Sequence, residues 1–433
     1  MQALLSFEQA PPFAAPLRFF LTAPLFAMLA GMLLLWTGPG LLASRWTPAA
    51  LALTHLITVG FLLQVMLGAM IQILPVVAGA NMLRPGLLAS LVHAAIVPGA
   101  LLLTAGFLTF QPLAYWLAAI LLGGGALLFV GVAGHALFVV PSTNPTIRGL
   151  KLSLPSLTVT VGLGGSLAAG LAGSLQLPLQ QLASIHLTWG LVGWGVILLA
   201  TVAFVVVPMF QITPPYPAWF ARSFAWSLLT LLCCWSLVAG WQWPGGALLA
   251  GAVVLHVVAF AALTLHVQSR SKRASFDATQ RLWQVAMLCA LAACSVWYAG
   301  TTVPELDDRL EWLCGVLALL GGFMSVTIGM LYKIVPFLVW LHLQNQGAGR
   351  VLAPSMHKVI AARQIERQAQ SHFLSLALLL AAVVWPEWLA YPAGLAIVLA
   401  NGWLLRNLLA AVAFYRRHRL RIAAVASADG TRR

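Results

Sequence analysis

Two histidines open two long apolar segments of this chain. His55 lies in the segment 51–79 and His186 lies at the head of the segment 186–208. An ionisable side chain is costly in hydrocarbon, and a neutral imidazole is a good ligand for haem iron or for copper. We therefore predict that His55 and His186 bind haem b, copper or both. Hydrogen bonding between packed helices is the alternative role for each.

Among the other ionisable residues inside apolar segments, three are weaker candidates. His256 could complete a metal site, with packing as its alternative role. Arg406, between Asn401 and Asn407, could neutralise a haem propionate or a substrate anion. Lys333 could serve a proton path, although it is close enough to the membrane interface to extend its amine into water.

Several motifs are missing from the sequence, and their absence excludes whole classes of function. There is no P-loop for ATP, no CxxCH for covalent c-type haem, and no HExxH for a zinc protease. No apolar segment carries paired carboxylates, which argues against a di-iron centre or proton antiport. The five cysteines lie in or beside apolar runs, so they do not form a disulfide framework.

The elements that carry these residues recur along the chain. A third copy of the pattern, without its histidine, begins at Cys314 and ends at Pro336. The opening residues of the three copies are 131 and 128 positions apart, and their closing prolines are 133 and 128 positions apart. This agreement predicts one membrane unit present three times.

Composition places the whole chain in a membrane. Of its 433 residues, 61% are hydrophobic and only 7% are charged, whereas about a quarter of a soluble domain is charged. We predict an all-α polytopic membrane protein, one integral membrane domain over 1–433, with pseudo-repeats at 16–140, 150–268 and 282–414. A run of about 20 apolar residues can cross a bilayer, and twelve are found at 16–37, 49–78, 86–110, 113–140, 150–173, 181–210, 220–242, 246–268, 282–300, 311–341, 371–390 and 391–414.

The basic residues predict the orientation. If both termini are cytoplasmic, 19 of the 23 Lys and Arg residues fall on the cytoplasmic side, and only Arg45 and Arg309 lie in the opposite loops. We therefore interpret the net charge of +14 as an orientation signal, not as a nucleic-acid surface. No secretory signal is recognisable, and a bacterial-type inner membrane is expected. The segment 342–370 is predicted to lie on the cytoplasmic interface, and 415–433 to form a basic tail.

With twelve spans, three repeats and a histidine near the outer end of the second span, the chain resembles subunit I of the haem–copper oxidases. That resemblance implies that His55 is an axial ligand of a haem and that His186, on the sixth span, is a copper ligand. The oxidases also carry a histidine pair on the tenth span and adjacent histidines on the seventh, which this sequence lacks. In length and span count the chain is similar to the NnrS family of haem- and copper-containing membrane proteins, with THLITVG at the place of that family's WHAHEM-type motif.

Three functions remain open from the sequence, and whether the protein is an enzyme is not decided among them. The first is a haem- or copper-binding membrane protein of respiratory, nitric-oxide or metal metabolism. The second is a transporter or channel whose path is lined by the polar residues of the bundle, namely Gln64, Gln72, His256, Lys333 and Arg406. The third is a metal-free assembly or scaffold subunit that associates with other respiratory membrane subunits.

Overall fold

The computed structural model describes residues 10–142, 144–302, 309–347 and 352–430, without the side chains of 301–302 and 423–430. Within these ranges the chain forms twelve long helices and no strand. Their bounds are α1 Ala14–Thr37, α2 Pro48–Ala78, α3 Pro85–Thr109, α4 Pro112–Val139, α5 Pro145–Leu171, α6 Leu179–Gln211, α7 Ala218–Gly240, α8 Gly246–Ser269, α9 Ala278–Thr302, α10 Arg309–Gly347, α11 Ala362–Val384 and α12 Pro386–Gly430.

The predicted all-α polytopic membrane architecture is confirmed. Eleven of the twelve helices are long and apolar enough to cross a bilayer. The exception is α11, whose first turns carry Arg363, Glu366 and Arg367 before the helix becomes apolar. Multiple crossings therefore put much of the surface in contact with lipid.

The predicted boundaries near the carboxyl terminus are wrong by several residues. We predicted that the eleventh span would begin at 371 and end at 390, whereas α11 runs over Ala362–Val384. The break falls at Trp385 because the next residue is proline, and proline is favoured at the first position of a helix. The predicted basic tail 415–433 is a helical continuation of α12 as far as Gly430, and the predicted interfacial segment contains the end of α10 and the start of α11.

The central helix of each repeat contains the same irregularity. An eight-residue π-helical stretch interrupts α2, α6 and α10, at Leu56–Leu63, Trp189–Val196 and Leu317–Met324. In each helix a proline follows the start of the stretch by 19 residues, at Pro75, Pro208 and Pro336. Because π-helical stretches are rare, three at equal distances from a proline confirm the three-fold repeat.

A glycine occupies the fifth position of every π-helical stretch, and in each repeat the stretch packs against the preceding helices. These residues are Gly60, Gly193 and Gly321. A Cβ at Gly60 would overlap the ring of Phe26 on α1, and one at Gly321 would lie 2.6 Å from the Cys289 sulfur on α9. The Cβ of an alanine at Gly193 would lie 3.4 Å from Cβ of Ser156 on α5. Close approach of the first helix to the central helix therefore recurs in all three repeats.

The three central helices form the core of the bundle. More of α2, α6 and α10 is buried than of any other candidate span. They meet one another through their irregular stretches: α2 touches α10 directly, and Gly195 of α6 packs against the ring of Phe323 of α10. The other helices pack around them, and α1 closes the ring by packing along α12. This arrangement brings the irregular stretches of the three central helices together inside the bundle.

Candidate metal centre

His55 and His186 lie at the same depth because their helices begin at well-defined residues. The hydroxyl oxygen of Thr47 accepts a hydrogen bond from the amide of Ala50, and Pro48 occupies the first position of α2. The first turn of α6 is tied to α7, because the Gln181 amide donates to the carbonyl of Ala239 at 2.6 Å. Each histidine is seven residues into its helix, which corresponds to about 10 Å.

The structure brings the two rings together. Their centroids are 6.4 Å apart and their planes differ by 13°. His55 Nδ1 lies 2.8 Å from the carbonyl oxygen of Leu51, and His186 Nδ1 lies 3.0 Å from that of Thr160 on α5. Both rings are only half-buried, and His55 also packs 5.0 Å from the ring of Phe107.

The hydrogen bonds determine which nitrogen is available. A carbonyl oxygen only accepts, so Nδ1 donates in both rings and Nε2 keeps its lone pair. Neither Nε2 has a hydrogen-bond partner among the described residues. Histidines that ligate metals usually donate the other ring nitrogen to a carbonyl or carboxylate, which holds the ring in place. Each ring is therefore held through Nδ1, and Nε2 is the nitrogen that could bind a metal.

The ring separation suits a single shared ion. The two imidazoles are close enough that both could bind one ion, because a metal–nitrogen bond is about 2.0 Å long. The observed 6.4 Å is too long for direct ring stacking. No group of three or more His, Cys, Asp or Glu side chains that could hold a metal occurs within the described ranges. His55 and His186 would offer two imidazole nitrogens, which are ligands that a haem iron or a cuprous ion accepts.

The two histidines occupy similar but not identical positions in their repeats. His55 directly precedes its π-helical stretch, whereas His186 is three residues before the start of its own. Cys314 holds the position of His186 in the third repeat, and its thiol lies 3.6 Å from the carbonyl oxygen of Ala293. The third central helix thus adds no imidazole to the site.

His256, the third predicted metal ligand, does not lie with the pair. Its Nδ1 lies 2.9 Å from the carbonyl oxygen of Ala252, and its Nε2 lies 3.1 Å from the hydroxyl of Ser227 on α7. Both ring nitrogens therefore have hydrogen-bond partners, Nδ1 within α8 and Nε2 across to α7. A ligand role for His256 stays a prediction, and it would require the Ser227 bond to break.

Arg406, the predicted counter-charge, is exposed on α12 and is far from the pair in depth. The loop after α1 packs against the start of α12, since a Cβ at Gly38 would lie 2.5 Å from the hydroxyl of Tyr391. The starts of α2 and α12 therefore share one end of the bundle. Arg406 is 20 residues from that end, or about 30 Å, whereas His55 is about 10 Å from it. The structure does not bring Arg406 and the histidines together.

Lys333 has a partner that the sequence did not reveal. Its amine lies 2.7 Å from Asp277, at the start of α9, and the same carboxylate oxygen lies 2.6 Å from Arg273. Burial by itself would raise the pKa of Asp277, but hydrogen bonds from Lys333 and Thr279 outweigh it and hold that pKa well below its usual range. Lys333 is thus part of an ion-pair cluster where α9 and α10 meet, and the ion pair replaces extension into water as its explanation.

Two features of the site were not anticipated from the sequence. The carbonyl of Thr160, which orients His186, comes from a different helix and has no side-chain signature. The π-helical stretches do have a sequence signature, because Gly60, Gly193 and Gly321 each precede the closing proline by 15 residues.

No protein-family profile matches this sequence, and no curated protein matches it.

Proposed function

We propose that this chain is a metal-binding integral membrane protein in which His55 and His186 hold one ion, either copper or the iron of haem b. The observation that carries the proposal is the matched pair of imidazoles, 6.4 Å apart, each donating Nδ1–H to a backbone carbonyl and keeping Nε2 open. The site would serve respiratory, nitric-oxide or metal metabolism, in a cytoplasmic membrane with both termini on the cytoplasmic side.

The donor set favours these two groups over other metals. A structural zinc ion takes four protein ligands, and Mg²⁺ and Ca²⁺ prefer oxygen. A haem iron receives four nitrogens from its ring and needs only two from the protein. A cuprous ion accepts few, neutral ligands, which limits the charge to be buried in the bilayer. Either group would supply one-electron transfer when bound.

The residues around the pair control its geometry. The Thr160 carbonyl ties the His186 ring to α5, so the ring cannot rotate about its own helix without losing a hydrogen bond. The Leu51 carbonyl does the same for His55 from within α2, and Phe107 of α3 packs against that ring. A metal would bind the neutral form of each imidazole.

The test is an optical spectrum of the detergent-purified protein, oxidised and dithionite-reduced, with metal analysis of the same sample. We expect either one haem b or one copper ion per chain. His55→Ala and His186→Ala should each remove it, because one imidazole alone cannot hold the ion. The matched control is His342→Ala, since both ring nitrogens of His342 lie within hydrogen-bonding distance of backbone carbonyls, at 3.0 Å from Leu338 and 3.1 Å from Pro11.

The variants also separate the alternatives. A metal that survives both substitutions but disappears in His256→Ala would move the site to α8. A wild-type protein that is colourless and metal-free after expression with haem and copper supplied would overturn the proposal. Transport assays in proteoliposomes would then be the next measurement.

A further inference from the structure

One side of α12 is not covered by any other helix and forms a continuous exposed stripe. The opposite side, with Ile397, Leu404 and Ala411, is buried where α1, α10 and α11 pack against α12. The exposed residues are four or seven positions apart, which is the spacing of a single helix face. The α12 stripe consists of Trp388, Leu395, Leu399, Arg406, Ala413 and Arg417. It is apolar at its start and basic at its end.

The length of the α12 stripe matches a bilayer. Trp388 and Arg417 are 29 residues apart, which corresponds to about 43 Å of helix, and a bilayer with its headgroups is about 40–45 Å thick. Trp388 is 80% exposed, and tryptophan is enriched at the level of the headgroups. Trp388 and Arg417 therefore mark the two headgroup layers, and Leu395 and Leu399 face the lipid chains between them.

Arg406 lies on this stripe before the second headgroup layer is reached. It follows Trp388 by 18 residues, or about 27 Å, so its backbone is still at the edge of the hydrocarbon. Its side chain is exposed and has no hydrogen bond or ion pair among the described residues. A charge at this depth is costly unless the side chain extends to the headgroups or meets an anion.

The described part of the protein has no acid to neutralise this end of α12. Four acidic side chains are described, namely Asp277, Glu311, Glu366 and Glu387. The first three form ion pairs with lysine or arginine residues on other helices and loops. Glu387 lies at the opposite end of α12, about 45 Å of helix before Arg417. The counter-charge for these arginines must therefore come from outside the described chain.

We propose that the basic end of the α12 stripe binds an anionic phospholipid. Its phosphate is held between Arg406, which extends towards the headgroups, and Arg417, with the exposed Arg416 beside them. The small side chain of Ala413 leaves room between the two arginines, and the acyl chains lie along the apolar half of the stripe. The site is separate from the proposed metal site and does not depend on it.

The apolar residues of this face favour a lipid over a soluble anion. Leu420 is 71% exposed and lies one turn beyond Arg416 and Arg417. A helix that presents arginines and exposed leucines on one face is typical of contact with the membrane interface. A free phosphate would pair with the arginines but would leave Leu399 and Leu420 without a partner. A phospholipid satisfies both parts of the stripe.

The experiment measures the dissociation constant of the first bound lipid by native mass spectrometry of the full chain in detergent. The probes are dioleoyl phosphatidylglycerol, which is anionic, and dioleoyl phosphatidylcholine, which has the same chains but no net charge. We expect the anionic lipid to bind at least tenfold more tightly. The triple variant Arg406→Gln, Arg416→Gln, Arg417→Gln should weaken its binding at least tenfold, because each arginine near an anionic surface contributes about fivefold.

A second triple variant is the matched control. Arg84→Gln, Arg222→Gln and Arg270→Gln remove the same charge from exposed arginines at the basic end of the bundle, but away from α12. This variant should bind the anionic lipid within about twofold of the wild type. Binding of the zwitterionic lipid should stay within twofold in both triple variants.

Each outcome decides the proposal. Equal affinity of the wild type for the two lipids would overturn it. Equal weakening by the two triple variants would also overturn it, because the net charge of that end would then be the cause. Displacement of the lipid by millimolar inorganic phosphate would show a site for a soluble anion instead. If the α12 triple variant does not fold, Arg406→Gln alone should still weaken binding of the anionic lipid about fivefold.

Discussion

All three repeats have the same backbone framework, but the polar side chains of the third repeat differ from those of the first two. In α2 and α6 the histidine at the head of the central helix is half-buried, and its Nε2 has no hydrogen-bond partner among the described residues. In α10 the head position carries Cys314, and the buried imidazole of the third repeat, His372, lies on the neighbouring α11. There Nε2 lies 2.8 Å from the Ser325 hydroxyl, and Nδ1 is buried without a hydrogen-bond partner among the described residues.

The difference shows that the repeated framework does not itself decide the chemistry. The π-helical stretch, its fifth-position glycine and its closing proline are the same in all three helices. What differs is which side chains stand next to the stretch and which carbonyl or hydroxyl they meet. A framework held by backbone geometry can keep its shape while its ligands change.

The largest effect is expected from the shared framework itself. Gly60→Ala and Gly321→Ala should each lower the free energy of unfolding by about 1–3 kcal/mol, because the added methyl group meets Phe26 or Cys289. Thermal unfolding in detergent measures this. Gly131→Ala is the control, since a Cβ there has open space around it. If Gly60 is sensitive and Gly321 is tolerant, the repeats do not share their packing.

A smaller effect is expected at the ion pair that only the third repeat carries. Asp277→Asn should cost about 1.5 kcal/mol at pH 7, because it removes charge-assisted hydrogen bonds from Lys333 and Arg273. The low pKa of Asp277 stabilises the fold above pH ~3.9, the unfolded value, and this stabilisation is lost as the pH falls further.

Measuring the free energy of unfolding at a series of pH values therefore tests whether the stabilisation by Asp277 is lost on acidification. The difference between wild type and Asp277→Asn should be constant from pH 7 to pH 5 and should shrink below about pH 4. A difference that grows on acidification would contradict the assignment. Gln72 is the residue of α2 that corresponds to Lys333, at the same distance from the closing proline. The first repeat thus has no charge at this position.

The smallest effect is expected at Arg406. Its side chain is exposed and about 20 Å deeper than the histidine pair, so Arg406→Ala should change the free energy of unfolding by less than about 0.5 kcal/mol. The spectrum and metal content should stay at the wild-type level. A shifted haem band in this variant would mean that Arg406 reaches the cofactor, and the depth argument would fail.

Much of the architecture could be predicted from the sequence because it follows from local composition. Length and hydropathy decide which segments can cross a bilayer, and the spacing of Pro75, Pro208 and Pro336 predicted three repeats that the structure confirms. The break near Trp385 was misplaced because an apolar run continues across it, so composition gives no signal there. The similar depth of His55 and His186 could also be predicted, since both follow the start of an apolar run by a few residues.

What the sequence determined by itself is the membrane fold, its repeat and the presence of imidazoles at the head of two central helices. Only the tertiary structure decided that those two rings face each other, that Thr160 and Leu51 hold their Nδ1 atoms, and that His256 and Arg406 lie elsewhere. The physical reason is that hydropathy is a property of each segment alone. The direction of a side chain depends on the rotation of its helix against its neighbours, and packing contacts between distant parts of the chain set that rotation.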